Sequence, residues 1–269
     1  MAAEAGDEAC VLAGGTDLLV QIPKGRRAPT IVIDLKHVAD LGGDVTETDS
    51  GFRIGALMPM TDIMAHDGIV RHFPALCQAV RVIGSVQIRN RATLAGNICN
   101  ASPAADSVPP LLVYGATVNA AGRAGERSIP LREFFLGPGR TCLAAGELAV
   151  SIDLPTPPAR GGAAFERLTR RRGMDLASVS AACAVQPSGA LGFGFGAVGP
   201  TPIFVGLDAP GVLDADNRAA RNDAVEDAAA AARPIGDIRA GEAYRRAMVP
   251  VLARRALVRA LEQIWKETP

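Results

Sequence analysis

The pattern of apolar and polar positions predicts alternating strands and helices in the first half of the chain. Residues 10–13 read as a short apolar strand entering a glycine turn, and residues 17–22 as a short helix leaving it. Residues 30–35 (TIVIDL) are a β-branched run of the kind found in a buried strand, and residues 52–57 alternate as another strand. Thr61 has an N-cap side chain and Asp62 suits a first helical turn. Together they predict a helix to about His72, with His66 and His72 on one exposed face. A further helix follows Pro74, with Leu76, Val80 and Ile83 on one face and Gly84 as its stop. Residues 85–110 are polar and rich in Gly, Asn, Ser and Pro, a length of connection that is usually functional. Residues 111–120 and 147–154 return to strand.

The proline run at 155–158 (PTPP) resists both helix and sheet. It predicts a boundary between a unit over residues 1–155 and a second over 160–265. In the second unit, residues 178–185 and 191–198 read as paired strands joined by turn chemistry at 187–190. Residues 225–233 and 240–265 are helical in composition and spacing, with Pro250 expected to start a new helix at its first turn. No internal repeat is visible, and the second unit reads as a small α+β domain.

Composition narrows the function classes. The 269 residues suffice for one large or two modest domains, and the formal net charge is zero, so no charge excess argues for nucleic acid or an anionic membrane. The longest apolar runs fall short of the roughly 20 residues needed to span a bilayer. Residues 1–9 are acidic and lack a basic-plus-apolar signal pattern, which predicts a soluble, cytoplasmic protein. The cysteines at 10, 77, 99, 142 and 183 show neither cluster spacing nor a disulfide framework, and read as small buried or half-buried thiols. His37, His66 and His72 show no ligand spacing either, so no metal site is expected.

Two glycine-centred segments carry the candidate chemistry. In the first (AGGTDL), Gly14 and Gly15 lack Cβ, so the main chain can approach a ligand and its N–H groups can cradle an anion, with the Thr16 hydroxyl as a further donor. The same residues would equally serve a tight strand–helix turn capped by Thr16. Neither a Walker A loop nor G-x-G-x-x-G is present. In the second, Gln87-Ile88-Arg89-Asn90-Arg91 leads into Thr93-Leu94-Ala95-Gly96-Asn97, followed by Asn100, Ser102 and Asp106. Thr, Asn and Ser can donate to phosphate oxygens, and a carboxylate such as Asp106 suits ribose or ribityl hydroxyls. Arg89 and Arg91 either neutralise pyrophosphate or brace the loop. Two such segments predict one extended, phosphate-bearing ligand gripped from two sides.

The segments AGGTDL and QIRNRATLAGNICNASPAADSVP resemble the FAD-binding segments of the flavoprotein subunits of molybdenum hydroxylases, the family of xanthine dehydrogenase and carbon monoxide dehydrogenase. The resemblance continues through FERLTRRRGMDLASV, FGAVGPTP and RAGEAYRRAMVPVL, and covers essentially residues 11–261. It implies an α+β fold: a two-subdomain FAD-binding unit of the vanillyl-alcohol oxidase (PCMH) type, then a small C-terminal domain with an antiparallel sheet and helices. It also implies that Ala13, Gly14, Gly15, Thr16 and Asp17 wrap the FAD pyrophosphate, with Leu12 packing nearby. Thr93, Gly96, Asn97, Asn100 and Asp106 would supply the second set of contacts. Arg167 would lie near the flavin, and residues 169–175 would cover one flavin face, with Arg170, Arg171 and Arg172 solvated. Two departures are visible: Ala95 stands where the family usually has glycine, and only residues 1–10 precede the first segment where the family has a strand and a helix. Either translation starts further upstream, or an edge element of the small subdomain is missing.

The implied activity is that of an FAD-dependent oxidoreductase subunit with no catalytic side chain of its own. It would carry electrons from a small 2Fe–2S iron–sulfur subunit, fed by a large molybdenum-cofactor subunit, to an external acceptor in a dimer of heterotrimers. A stand-alone FAD oxidase and an assembly subunit that has lost FAD are the alternatives.

Overall fold

The computed structural model describes residue 4 and residues 8–266, so the acidic stretch at 1–9 falls largely outside the described residues. A two-stranded parallel sheet comes first: β1 (Ala9–Leu12) pairs with β2 (Ile31–Asp34), and α1 (Leu18–Gln21) lies between them. The β-branched run in β2 is not the buried strand its composition predicts: Ile31 is 39% and Val32 44% exposed. Among the described residues this sheet has two strands, whereas parallel pairs usually have both faces covered.

Next come β3 (Val45–Thr48), β4 (Gly51–Gly55) and five helices of one or two turns: α2 (Met60–Ile63), α3 (Asp67–His72), α4 (Pro74–Arg81), α5 (Val86–Arg89) and α6 (Leu94–Cys99). The continuous helix expected from Thr61 to His72 is broken. Pro59 occupies the cap position of α2, and the Thr61 hydroxyl instead bonds Asn90 Oδ1 at 2.6 Å. The chain restarts at His66, whose ring nitrogen accepts from the Ile69 N–H. His66 and His72 do not share an exposed face. Both are half-buried, with ring centroids 6.3 and 5.6 Å from Phe52. Residues 85–110 are not an irregular connection, because Ser85 and Thr93 cap α5 and α6 through their hydroxyls. Nor is 111–113 a strand. It belongs to α7 (Val108–Val113), where Pro109 and Pro110 sit in a first turn that does not need their missing N–H groups.

After α7 the chain adds β5 (Thr117–Gly122), β6 (Gly125–Pro130), α8 (Leu131–Phe134), the small hairpin β7 (Phe135–Gly137) and β8 (Arg140–Thr141), and β9 (Leu148–Pro155). Its five-stranded antiparallel sheet runs β3-β4-β9-β5-β6. One core joins that sheet to the short helices through Ile54, Phe73, Leu76, Leu94, Leu111, Phe134 and Ile152.

The remaining chain is β10 (Gly162–Leu168), β11 (Val179–Val185), β12 (Ala190–Gly196) and β13 (Ile203–Asp208), an antiparallel sheet in sequential order, then α9 (Arg218–Ala229) and α10 (Glu242–Lys266). The sequence of β12, ALGFGFG, explains how this sheet is covered on both faces. Leu191, Phe193 and Phe195 point to a second core with α9 and α10. Gly192, Gly194 and Gly196 alternate to the other face, where a Cβ on Gly194 would stand 2.3 Å from the Pro109 carbonyl oxygen of α7. The absent side chains let α7 lie directly on the sheet.

α9 begins seven residues before the predicted start at 225, because Asn217 Oδ1 caps it by accepting from the Ala220 N–H. α10 runs unbroken through Pro250, contrary to the expected new start there. An interior proline costs about 3 kcal/mol. Burial of Val249, Leu252, Leu257 and Leu261 against β10 and β11, roughly 1.5–3 kcal/mol each, outweighs it. Among the described residues no helix is long and apolar enough to cross a membrane.

The glycine face of β12 yields a stability prediction. Gly194→Val forces α7 off the sheet and lowers unfolding free energy by about 3 kcal/mol. Gly206→Ala in β13, where a Cβ has only ordinary contact with Phe204, changes it far less. Chemical denaturation of both variants checks this.

Candidate functional site

The first glycine segment links β1 to α1. Gly15 has φ +76°, a left-handed conformation open to glycine, and Leu12 packs beneath it. Gly14 is needed for another reason, since a Cβ there would lie 2.0 Å from the Arg91 carbonyl oxygen. The turn therefore rests directly on the main chain entering the second segment. Lys36 steadies it, donating from Nζ to the Ala13 carbonyl at 3.3 Å while paired with Asp34 at 2.6 Å. Asp17 stands at the start of α1 without a side-chain capping bond, and burial pushes its carboxyl above the ordinary range.

The second segment is held by a bridge between Pro59 and Thr93 and by the Met60 N–H, which donates to the Ala92 carbonyl at 2.9 Å. Thr93 Oγ1 accepts from the Gly96 N–H at 3.0 Å, which leaves its own hydroxyl hydrogen to donate elsewhere. Gly96 faces the first segment, with an added Cβ 3.8 Å from the Ala13 Cβ. The buried Ser107 hydroxyl donates to Asn97 Oδ1 at 2.6 Å, fixing the amide so that its NH2 is free. Ala95, where the family usually has glycine, sits inside α6 and is not among the positive-φ residues, so its methyl strains nothing. Arg89 braces the loop, donating to the Ile83 carbonyl at 2.9 Å.

Both segments line one cavity of about 350 Å³. Ala13, Gly14, Gly15, Thr16 and Asp17 meet Thr93, Gly96, Asn97 and Asn100 there, whereas Leu12, Asp106 and Arg167 do not line it. Sequence reasoning missed several lining residues: Gln21 at the end of α1 and Arg27 after it, Ile83 and Ile88, and Leu143, Glu147 and Leu148 before and within β9. The last three come from far along the chain and carry no local signal. Glu147 is held well below its usual range, to about 2, chiefly by its bonds from Arg127.

Asp106 and Arg167 form a buried ion pair at 2.7 Å, with side chains 6% and 12% exposed, that ties the second segment to β10. Arg167 also donates to the Asp175 carbonyl at 3.4 Å, which holds the loop over residues 169–175. Asp106 Oδ1 is buried without a partner, and burial raises its carboxyl to about 6 although Arg167 pulls it down. Arg170 bonds Asp175, and Arg171 donates to the Met174 carbonyl. Free hydroxyl and amide donors and a main-chain cradle that a Cβ would obstruct fit a ligand with phosphates and hydroxyls.

Two family models match: the FAD binding domain in molybdopterin dehydrogenase over residues 1–157, and the CO dehydrogenase flavoprotein C-terminal domain over residues 163–260. The chain belongs to the family of FAD-binding subunits of molybdenum hydroxylase-type dehydrogenases. This FAD-binding subunit is 34% identical to the xanthine dehydrogenase FAD-binding subunit of Escherichia coli O157:H7, over 73% of this chain and 69% of that protein. It is 31% identical to the carbon monoxide dehydrogenase medium chain of Afipia carboxidovorans, over 95% and 90%. A chain of reconstituted CO dehydrogenase from Oligotropha carboxidovorans superposes with a TM-score of 0.90 at 29% identity, over 97% of this chain and 93% of that one. The subunit therefore has the α+β fold and the FAD cofactor of an oxidoreductase family.

The buried pair sets a pH dependence. A carboxyl raised in the folded state takes up a proton on folding between its ordinary value and about 6, so its contribution to stability is greatest in acid and is lost as pH rises through about 6. In the flavin-free subunit, wild type gains stability relative to Asp106→Asn as pH falls from neutrality to about 4, by on the order of 1–3 kcal/mol. Denaturant titrations across that range check it, and a difference independent of pH contradicts it.

Proposed function

We propose that this subunit holds FAD in the cavity between its two glycine segments and passes electrons from the iron–sulfur clusters of a partner subunit to an external acceptor. The observation that carries this reading is the convergence of residues 13–17 and residues 93–100 on one cavity. Bound FAD supplies the redox chemistry, since it exchanges electrons both in pairs and singly. The chain binds and orients it. The turn at Gly14 and Gly15 offers main-chain N–H groups and Thr16 a hydroxyl to the pyrophosphate, with Leu12 supporting the turn from below. Thr93, Asn97 and Asn100 donate from the opposite wall, and Gly96 leaves room for close approach. Ile83, Ile88 and Leu143 exclude water. Asp106, with one free carboxylate oxygen, and Arg167 hold the loop over 169–175 at the flavin end. No side chain is assigned as acid, base or nucleophile.

The partners in this reading are a small 2Fe–2S subunit and a large molybdenum-cofactor subunit, assembled as a dimer of heterotrimers in the cytoplasm. A unit over residues 1–155 binds FAD, and a unit over 160–265 completes the cover. The purified chain, or the complex, is expected to show a flavin spectrum, to release FAD on denaturation and to co-purify with iron–sulfur and molybdenum subunits. A colourless protein that resists reconstitution overturns the reading.

Gly96→Val tests the cradle: its side chain enters the cavity opposite Ala13. The added Cβ would also stand 2.9 Å from Thr93 Oγ1, so the cap of α6 shifts and melting falls somewhat. The variant is expected to stay folded yet lose FAD on gel filtration, read as the ratio of flavin to protein absorbance. Full flavin occupancy contradicts the assigned contact.

A further inference from the structure

The charges around the cavity do not balance for an anionic ligand. Among the described residues three charged side chains line it: Asp17, Arg27 and Glu147. Glu147 is neutralised by Arg127 through two bonds of 2.6 and 2.8 Å. Asp17 has no ion pair among the described residues, and neither does Arg27, which also makes no side-chain hydrogen bond. The nearest other cation of the first segment, Lys36, is committed to Asp34 and to the Ala13 carbonyl. Arg27 is thus the one cation among the lining residues.

Local structure explains its placement. After α1 the chain turns through Gly25 (φ +65°), with the Gly25 N–H donating to the Ile22 carbonyl at 3.0 Å and the Arg26 N–H to the Gln21 carbonyl at 3.1 Å. That turn folds the loop back, so that Arg27 lines the same cavity as Gly14, Gly15 and Thr16. A dinucleotide pyrophosphate carries two negative charges near neutral pH, and main-chain N–H groups supply only partial ones. A guanidinium with no internal partner meets a phosphate in a fork of charge-assisted bonds without first breaking another.

We propose that Arg27 is the phosphate-binding side chain of this site and that it sets the affinity and salt sensitivity of FAD retention. The proposal rests on FAD occupying the cavity. The full chain, stripped of flavin, is titrated with FAD by fluorescence quenching at about 0.05 M and about 0.5 M salt, as wild type, R27Q, R27K and R26Q. Arg26 is exposed and does not line the cavity. At low salt R27Q is expected to bind FAD about five- to tenfold more weakly than wild type, the cost of one charge-assisted contact, and the gap narrows at high salt. R27K recovers part of the loss, R26Q binds as wild type, and all four melt alike without ligand. An R27Q affinity equal to that of R26Q, or a loss independent of salt, overturns the role of Arg27. Failure of the wild type to bind FAD overturns instead the placement of FAD in this cavity.

Discussion

The site depends on a single close contact, in which the main chain at Gly14 lies against the carbonyl of Arg91. Any Cβ at position 14 would occupy the space of that oxygen, so two segments almost eighty residues apart can meet only because a side chain is missing. The bridge between Pro59 and Thr93 and the cap that Thr93 places on α6 fix the far side of the same junction. Once the backbones are in register, the donors of both segments face one space, and that space has the polarity of a phosphate-bearing ligand's surroundings.

The same device recurs where the two cores meet. Gly192, Gly194 and Gly196 open one face of β12 to α7, while Phe193 and Phe195 fill the other face against α9 and α10. Because α7 follows directly on the segment that carries Asp106, packing at this seam also positions the Asp106–Arg167 pair. Stability of the sheet and geometry near the cavity are therefore coupled through one short helix, with the ion pair as their electrostatic link.

Much of this was legible in the sequence, for identifiable reasons. Turn chemistry at 187–190 located the paired strands over 178–198, and the proline after Phe73 located α4. The glycine segments announced themselves because small residues beside donors have few other uses. The failures came where packing overrode local preference. Pro250 stays inside α10 because the helix face it interrupts is buried, and Pro109 and Pro110 begin a helix because a first turn tolerates them. The apolar run of β2 is half-exposed because, among the described residues, little covers the outer face of its two-stranded sheet. Within the site, Leu143, Glu147 and Leu148 arrive from β9 and the stretch before it, remote in sequence, and nothing local marks Arg27 as facing the cavity.

A two-sided grip makes a direct demand on the backbone. Hydrogen–deuterium exchange of the flavin-free chain, measured with and without added FAD, reads that demand at single segments. FAD is predicted to slow exchange together at residues 13–17 and residues 93–100, with the far strands β12 and β13 unchanged. Protection confined to one segment, or appearing away from the cavity, would contradict a ligand held between the two.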